Sequence, residues 1–258
     1  DLSKLEKFDD LPINDKLKEI LKLSGFTQLT AIQRLGIPAL LSGKNVVLRS
    51  ETGSGKTLTY LVPLLEKLSY HSLNVEKIHR DTGTMAIIFS PTRELAVQID
   101  IELRKLLKLF YYVVPTTLMG GESASREKAR LRKGCTVIIA TPGRLLYHLK
   151  NTQALKLDNL QSLIFDEADR MLDMGFEQEM SACLDLIKKK SPATFTSDEY
   201  HSNMRVHFIS ATMTEQVEGF GSKLMTEYDR IGFNTENAQL QATSMPKQVV
   251  QYYMEVPT

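Results

Sequence analysis

The sequence has no tryptophan, two cysteines and almost no net charge. Cys135 and Cys183 lie far apart and neither belongs to a CxxC pair, so neither a disulfide framework nor a structural zinc site is indicated. No apolar run approaches the roughly 18 residues of a membrane span, and no signal-peptide pattern opens the chain. The 32 Lys and Arg residues nearly cancel the 31 Asp and Glu residues, which excludes a broad polyanion-wrapping surface. These absences favour the cytosol or the nucleus.

What remains is the composition of a globular protein. Of the 258 residues, 42% are apolar and 24% are charged, which is enough to bury a sizeable core in one large domain or two small ones. Because the first residue is Asp1 and not Met, we expect the sequence to be a piece of a longer protein.

The apolar pattern predicts an α/β fold. Segments 94–109 and 123–133 have the spacing and charge of helices that cover a sheet. Short runs rich in β-branched residues alternate with such segments, which predicts a mostly parallel sheet with helices on both faces. Ligands of such sheets bind where loops leave the carboxyl ends of the strands. The predicted strands are residues 45–50, 85–90, 116–119, 136–141, 162–166 and 205–210.

The strongest local motif is SETGSGKT, residues 50–57, between a predicted strand and a helix expected to begin near Gly55. Its glycines let the backbone curve so that several N–H groups point inward, and the helix adds its positive N-terminal end. Such a loop binds phosphates, with Lys56 on the outer phosphates and the Thr57 hydroxyl on Mg²⁺. The general pattern has glycine where this chain has Ser50. The alternative is a surface turn followed by an exposed lysine.

A second motif, SLIFDEAD, ends an apolar strand in Asp166 and Glu167. A carboxylate at that point can hold Mg²⁺, usually through water, while its neighbour orients or deprotonates an attacking water molecule. Acidic residues also end strands merely because they are solvated there. Together with a phosphate loop earlier in the chain, however, the two carboxylates predict a nucleotide hydrolysis site.

The ordered set of motifs resembles the DEAD-box RNA helicase family, and specifically its first RecA-like domain, a P-loop NTPase fold. The resemblance runs from Phe8 to about Met254, and it departs from the family at Leu29 and Ala31, where prolines are usual. The matching segments are the Q motif (8–33), motif I (50–57), motif Ia (91–96), the GG element (120–121), motif Ib (141–144), motif II (166–169) and motif III (210–212).

The resemblance implies ATP and Mg²⁺ as cofactors and assigns candidate residues. The Gln33 amide both donates and accepts, as does the adenine edge. The strand before Ser210 and Thr212 should lie between those of motifs I and II, with the two hydroxyls bonded to the Asp169 side of the site. The catalytic candidates are Lys56, Asp166, Glu167, Asp169, Ser210 and Thr212. The nucleotide-binding candidates are Phe8, Thr27, Gln33, Thr52, Gly53, Ser54, Gly55, Lys56 and Thr57, and the metal-binding candidates are Thr57 and Asp166.

The RNA-facing motifs share hydroxyls, small residues and arginine, which suit contacts to phosphate and sugar without sequence specificity. The alternative is that Arg93 and Arg144 are ion-pair partners within the fold. The RNA-binding candidates are Pro91, Thr92, Arg93, Gly121, Thr141, Gly143 and Arg144.

The family pattern also predicts what lies around this chain. We expect residues 1–245 to form the first RecA-like domain, 191–203 to be an exposed loop, and 246–258 to lead into a second RecA-like domain that this sequence lacks. Expected partners are RNA, that second domain and ribosome-assembly factors, with no membrane. Residues 119–152 resemble the branch of the family that acts in nucleolar assembly of the large ribosomal subunit, which favours the nucleus or nucleolus over the cytoplasm. Two other functions stay open: a P-loop ATPase acting on DNA, and a non-enzymatic adaptor.

Overall fold

The computed structural model describes residues 5–191, 204–225 and 227–232. The expected loop at 191–203, apart from Ser191, and the expected domain boundary near 245 lie outside these residues. Within the described residues no helix is long and apolar enough to cross a membrane.

A single parallel sheet organises the chain. All six predicted strands are present with bounds that differ by no more than a residue or two, because runs of buried β-branched residues mark strands covered on both faces. A short edge strand, β7, was not predicted. The strands are β1 (Val46–Arg49), β2 (Ala86–Phe89), β3 (Pro115–Leu118), β4 (Val137–Ala140), β5 (Ser162–Asp166), β6 (Arg205–Ser210) and β7 (Asp229–Ile231).

Helices follow the strands and cover both faces of the sheet. The two predicted helices are confirmed, although the first ends at Leu106 and continues as a 3₁₀ turn from Leu107 to Leu109. The helices are α1 (Asp15–Leu23), α2 (Ala31–Leu41), α3 (Lys56–Asn74), α4 (Arg93–Leu106), α5 (Ala124–Arg132), α6 (Pro142–Asn151), α7 (Ala168–Asp173), α8 (Glu177–Lys190) and α9 (Glu215–Leu224).

Alternate residues of each strand enter two separate cores. In β5, Ile164 faces the core that α1 to α4 cover, while Leu163 and Phe165 face the core that α5 to α9 cover. On the second face the Phe165 ring stacks between Phe89 and Phe208, with ring centroids 4.5 and 4.6 Å apart. This stack ties β2, β5 and β6 together and fixes the register of the central strands.

The strand order divides the carboxyl edge of the sheet into two halves. The order is β3-β4-β2-β5-β6-β1-β7, and each neighbouring pair is parallel. The predicted position of β6 between the strands of motifs I and II is therefore confirmed. The nucleotide motifs follow β1, β5 and β6, which are neighbours, and the RNA motifs follow β2, β3 and β4, which form the other half.

Candidate nucleotide and RNA sites

The phosphate loop has the backbone that its glycines predict. Gly53 and Gly55 have φ values of 76° and 93°, a region that side chains with a Cβ rarely adopt. Gly55 is the N-cap of α3, so the positive end of this 19-residue helix faces the loop. Ser50, which stands where glycine is usual, donates its backbone N–H to Ser210, and its hydroxyl pairs with that of Ser54. The departure thus adds a hydrogen bond across the loop.

Lys56 joins the phosphate loop to the acidic end of β5. Its ammonium lies 2.9 Å from Glu167 Oε1 and 3.6 Å from Asp166 Oδ1, and all three side chains are about nine-tenths buried or more. The structure therefore brings together the three residues that the two motifs predicted would meet. The two carboxylates are thus the partners of the Lys56 ammonium.

Asp166 is a buried carboxylate that is only partly satisfied. Tyr60 of α3 donates its hydroxyl to Asp166 Oδ2 at 2.9 Å, whereas Oδ1 has no hydrogen-bond partner among the described residues. Burial raises the pKa of Asp166, and the ammonium of Lys56 and the hydroxyl of Tyr60 oppose that rise. Burial, with the Asp166 charge, raises the pKa of Tyr60 well above its ordinary value, so Tyr60 stays a donor.

A metal ion fits the open oxygen of Asp166. Asp166 Oδ1 lies 3.6 Å from the Lys56 ammonium but accepts no hydrogen bond among the described residues, and a buried carboxylate oxygen without a donor is costly. Among the described residues no group of three His, Cys, Asp or Glu side chains is arranged to hold a metal. Mg²⁺ usually keeps several waters and binds one or two protein groups plus substrate phosphates, so one open carboxylate oxygen is enough to take part in such a site. The partly buried Thr57, in the first turn of α3, would supply the second protein group.

Glu167 has a strained backbone, with a φ of 55°, and it is the one non-glycine residue with a positive φ in the described residues. For an L-residue this conformation costs roughly 1–2 kcal/mol. Glu167 is the N-cap residue of α7, and its Oε2 accepts a hydrogen bond from the Arg170 guanidinium at 3.2 Å, while its Oε1 faces Lys56. The strain thus places a second carboxylate beside Asp166.

Motif III is bonded to motif II, as predicted. Asp169 Oδ2 accepts both the backbone N–H of Thr212, at 2.9 Å, and its hydroxyl, at 2.8 Å. The Ser210 hydroxyl instead donates to the Thr212 carbonyl, so it shapes the turn and does not bond Asp169 itself. The Thr212–Asp169 bonds therefore link the segment after β6 to α7.

Gln33 lies against the phosphate loop. Its Nε2 donates to the Gly55 carbonyl at 3.0 Å, and its Oε1 accepts from the Thr30 backbone N–H at 2.9 Å. The two bonds link the start of α2 to the start of α3. Both amide atoms are engaged without a nucleotide, so the predicted pairing of Gln33 with adenine requires at least one of these bonds to be exchanged.

The other nucleotide candidates differ in exposure. Thr27, Thr52 and Gly53 are exposed and Ser54 is partly buried. Phe8 is 2% exposed and packs in the core that α1 to α4 cover, and its backbone N–H donates to the Thr27 carbonyl. Its contact with a base stays a prediction.

The RNA candidates begin two helices at the other half of the edge. Thr92 caps α4 through a bond from the Leu95 N–H, and Arg93 begins that helix with an exposed side chain. Thr141 precedes α6 with no side-chain capping bond, while Pro142 begins the helix and Gly143 is exposed. Helix N-termini bind phosphate through free N–H groups and the helix dipole. Pro91 is buried, so it serves the turn after β2.

Arg93 lies over the two glycines that follow β3. A Cβ added to Gly121 would come within 2.4 Å of an Arg93 guanidinium nitrogen, and one added to Gly120 within 2.8 Å of the other. A Cβ at either position would force the Arg93 guanidinium to move, and Gly121 also has a φ of 98°, which favours glycine. The guanidinium, Gly120, Gly121 and Arg126 line an open cleft of about 840 Å³.

Arg144 has a different environment, in a buried ion-pair network. Its Nε lies 2.6 Å from Glu127 Oε2, which also accepts from His148 at 2.8 Å, and Glu127 is fully buried. The Arg144 guanidinium also donates to the Glu122 carbonyl and lies over the Tyr147 ring. Burial lowers the pKa of His148 against the opposing effect of Glu127. The predicted alternative, an ion-pair role, is thus confirmed for Arg144, and its contact with RNA stays a prediction.

Three residues of the site region were not predicted. In the sequence, Tyr60 resembles an apolar position of α3, and Glu127 and His148 resemble ordinary surface residues of helices. No local sequence pattern shows that they are buried by elements distant in the chain. Spacing could have found only part of this set, since Arg144 and His148 are four residues apart and so share one face of α6.

The sequence profile of the DEAD/DEAH box helicase family matches residues 30–220, which is more than half of the chain. The chain belongs to this family. A crystal structure of a DEAD box protein from the hyperthermophile Methanococcus jannaschii has the same fold. It aligns with a TM-score of 0.71 and 30% identity, over 88% of this chain and 55% of that one.

Curated relatives are longer than this DEAD-box chain. It is 40% identical over 237 residues to "ATP-dependent DNA helicase DDX31" of Dictyostelium discoideum, covering 88% of this chain and 25% of that protein. It is 38% identical over 262 residues to "ATP-dependent RNA helicase DBP7" of Meyerozyma guilliermondii, covering 98% of this chain and 35% of that protein. The chain thus spans about a quarter to a third of these relatives.

Proposed function

We propose that this chain is the ATP-binding domain of an RNA helicase that remodels or locally unwinds RNA duplexes. One observation carries the proposal: Lys56, which begins α3 after the loop that follows β1, contacts both carboxylates at the end of β5, and motif III follows β6, the strand between β1 and β5. This arrangement supports a triphosphate site. The names of the DBP7 relatives, which say RNA, support the choice of nucleic acid.

Binding of ATP would exchange the partners of Lys56. The phosphate oxygens would draw its ammonium away from Glu167 and Asp166, while N–H groups of residues 53–57 bind the same phosphates. Glu167 would then be free to accept a proton from the attacking water, with Arg170 holding its second oxygen. Mg²⁺ on Thr57 and, through water, on Asp166 would neutralise charge on the phosphates.

Motif III would carry the nucleotide state to the RNA half. A shift of Asp169 pulls directly on Thr212, at the end of the central strand β6. The RNA candidates after β2, β3 and β4 would hold the sugar-phosphate backbone of one strand at the N-termini of α4 and α6. Binding of ATP and RNA is then coupled through the differential affinity of two states of the parent protein.

We infer that residues 1–245 act with a second RecA-like domain of the same parent chain, reached through 246–258. An arginine supplied across a phosphoryl-transfer site contributes roughly 10³ to 10⁵ in rate. The isolated chain should therefore bind ATP weakly and turn it over slowly. We also propose a role in assembly of the large ribosomal subunit, with ribosome-assembly factors as partners and a nuclear or nucleolar location.

The test uses the full-length parent protein. RNA should stimulate ATP hydrolysis, while single-stranded DNA of the same sequence should not, and Lys56→Ala should abolish nucleotide binding. Glu167→Gln should bind ATP without hydrolysing it and so trap an RNA-bound state. Equal stimulation by DNA would favour a DNA enzyme, as the DDX31 names state for those relatives. Unchanged partner binding with no nucleotide binding at all would favour an adaptor.

A further inference from the structure

A large cavity lies beneath α3 where β1, β5 and β6 begin, away from the nucleotide and RNA motifs. Its volume is about 790 Å³, within the range of roughly 300–1,000 Å³ that holds small organic ligands. Gly43 precedes β1, Ser162 begins β5, and Arg205 begins β6, so these residues place the cavity at the amino edge of the sheet. The nucleotide motifs follow the carboxyl ends of the same strands.

Two cations meet at one wall of this cavity. Lys67 of α3 is partly buried and donates to the Gln161 carbonyl at 2.9 Å. Arg205 donates to the carbonyls of Gly43 and Met204. Burial and the nearby Arg205 lower the pKa of Lys67 to about 8, and burial also lowers the pKa of Arg205. Each cation is thus held in place by carbonyls alone.

No carboxylate of the described residues forms an ion pair with Lys67 or Arg205. Two acidic side chains do line the cavity. Glu66 is turned toward Asn14, whose backbone N–H and side-chain amide it accepts at 2.8 and 2.7 Å, and Asp158 is exposed. Lys67 and Arg205 are both partly buried, and because no carboxylate pairs with either, this wall has a net positive charge that favours an anion.

A buried histidine lies beside the cations. His207 on β6 is 7% exposed, and its Nδ1 has no hydrogen-bond partner among the described residues. Burial and the two cations lower the pKa of His207 to about 3, so the ring is neutral and adds no competing charge. A neutral ring offers one donor and one acceptor nitrogen.

Most of the remaining lining is apolar, and its polar members are His71, Asn159, Gln161 and Ser162. The buried residues Leu40, Leu64 and Ile164 are part of the lining. Tyr70 and Val75 also line the cavity, with 62% and 68% of their surface exposed. The cavity therefore combines one cationic wall with an apolar rim.

We propose that this cavity is a binding site for a small organic anion, with its carboxylate, sulfonate or phosphate against Lys67 and Arg205 and its apolar or aromatic body against Leu64, Ile164 and Tyr70. The lining also includes Tyr60, whose hydroxyl holds Asp166, so an occupant contacts the same helix that carries the nucleotide site. The site is independent of the function proposed above.

The test compares two fluorescent probes on the whole protein, 8-anilinonaphthalene-1-sulfonate and its uncharged analogue N-phenyl-1-naphthylamine. Titrations are made with saturating Mg²⁺ and a non-hydrolysable ATP analogue, which blocks the nucleotide site. The variants are Lys67→Met and Arg205→Gln, which remove charge, Tyr70→Ala, which removes apolar contact, and Lys108→Met, an exposed control.

The sulfonate should bind at one saturable site. Each charge variant should weaken it about tenfold and leave the uncharged probe within about twofold, because only the sulfonate uses the cations. Tyr70→Ala should weaken both probes and Lys108→Met neither. Thermal melts verify that each variant is folded. Equal sulfonate affinity in wild type and both charge variants would overturn the proposal. Since Tyr70 is exposed and its variant should fold, unchanged binding of both probes to Tyr70→Ala would also overturn it.

Discussion

Glu127→Gln should destabilise the fold although the new side chain has the same shape. Glu127 Oε1 accepts the Met119 backbone N–H at 3.1 Å, and Oε2 accepts Arg144 and His148. A glutamine amide has one oxygen and one NH₂ group. In either orientation its NH₂ therefore faces a donor, the Met119 N–H or the Arg144 Nε–H, and the partly buried Arg144 loses its counter-charge.

Breaking a buried ion pair by removing one partner costs about 3 kcal/mol or more. At roughly 2–4 °C per kcal/mol for a domain of this size, the melting temperature should fall by roughly 6–12 °C. Urea unfolding followed by circular dichroism measures the free energy. The matched control is Glu122→Gln, whose pair with Arg130 is partly exposed and should cost less than about 1 kcal/mol. A free energy of unfolding for Glu127→Gln within about 1 kcal/mol of the wild-type value would refute this reasoning.

Three further predictions concern the site and its pH dependence. Gly55→Ala should lower both the stability and the ATP affinity more than Gly53→Ala does. The Cβ of Ala at position 55 would come within 2.6 Å of Gln33 Nε2, whereas a Cβ at position 53 would meet nothing within 4 Å, and calorimetry on both variants measures the difference. Tyr60→Phe removes the hydrogen-bond donor to Asp166, so the pKa of Asp166 should rise further. The affinity for Mg²⁺-ATP should therefore fall first at low pH, as measured by fluorescence titrations between about pH 5 and about pH 8. His207, whose pKa burial lowers from 6.5 to about 3, protonates only in the unfolded chain between these values. The free energy of unfolding should therefore fall as pH drops below 6.5, by up to about 1.4 kcal/mol per pH unit, and His207→Leu should flatten that slope in urea titrations at a series of pH values.

The strands could be predicted from sequence because their signal is local. Runs such as MAIIF, residues 85–89, are apolar at every residue, as expected when both faces of a parallel sheet are covered. The edge strand β7 escaped prediction because its sequence, DRI, has no apolar alternation and it joins the sheet only through pairing with β1. Helix α8 did carry a signal: Met180, Cys183, Leu184 and Ile187 recur at helical spacing and are buried.

The position of β6 between β1 and β5 came from resemblance to a family, since no local pattern encodes strand order. Local pattern also did not show the environment of Glu127 in α5, a helix whose presence it predicted correctly. The basic stretch beginning at Arg126 has the composition of a solvated helix face, yet Glu127 within it is fully buried. Its burial depends on Arg144 and His148, which belong to another helix. Contacts between residues that are distant in the chain cannot be predicted from a single local segment of sequence.

Most directly, the account is tested by the crystal structure of this chain with Mg²⁺ and a non-hydrolysable ATP analogue. We expect the phosphates to bind the backbone N–H groups of residues 53–57 and Lys56 to move from Glu167 to a phosphate oxygen. The metal should lie on the Thr57 hydroxyl, with Asp166 in its water shell. A nucleotide bound elsewhere, or a Lys56–Glu167 pair unchanged beside bound phosphates, would contradict it.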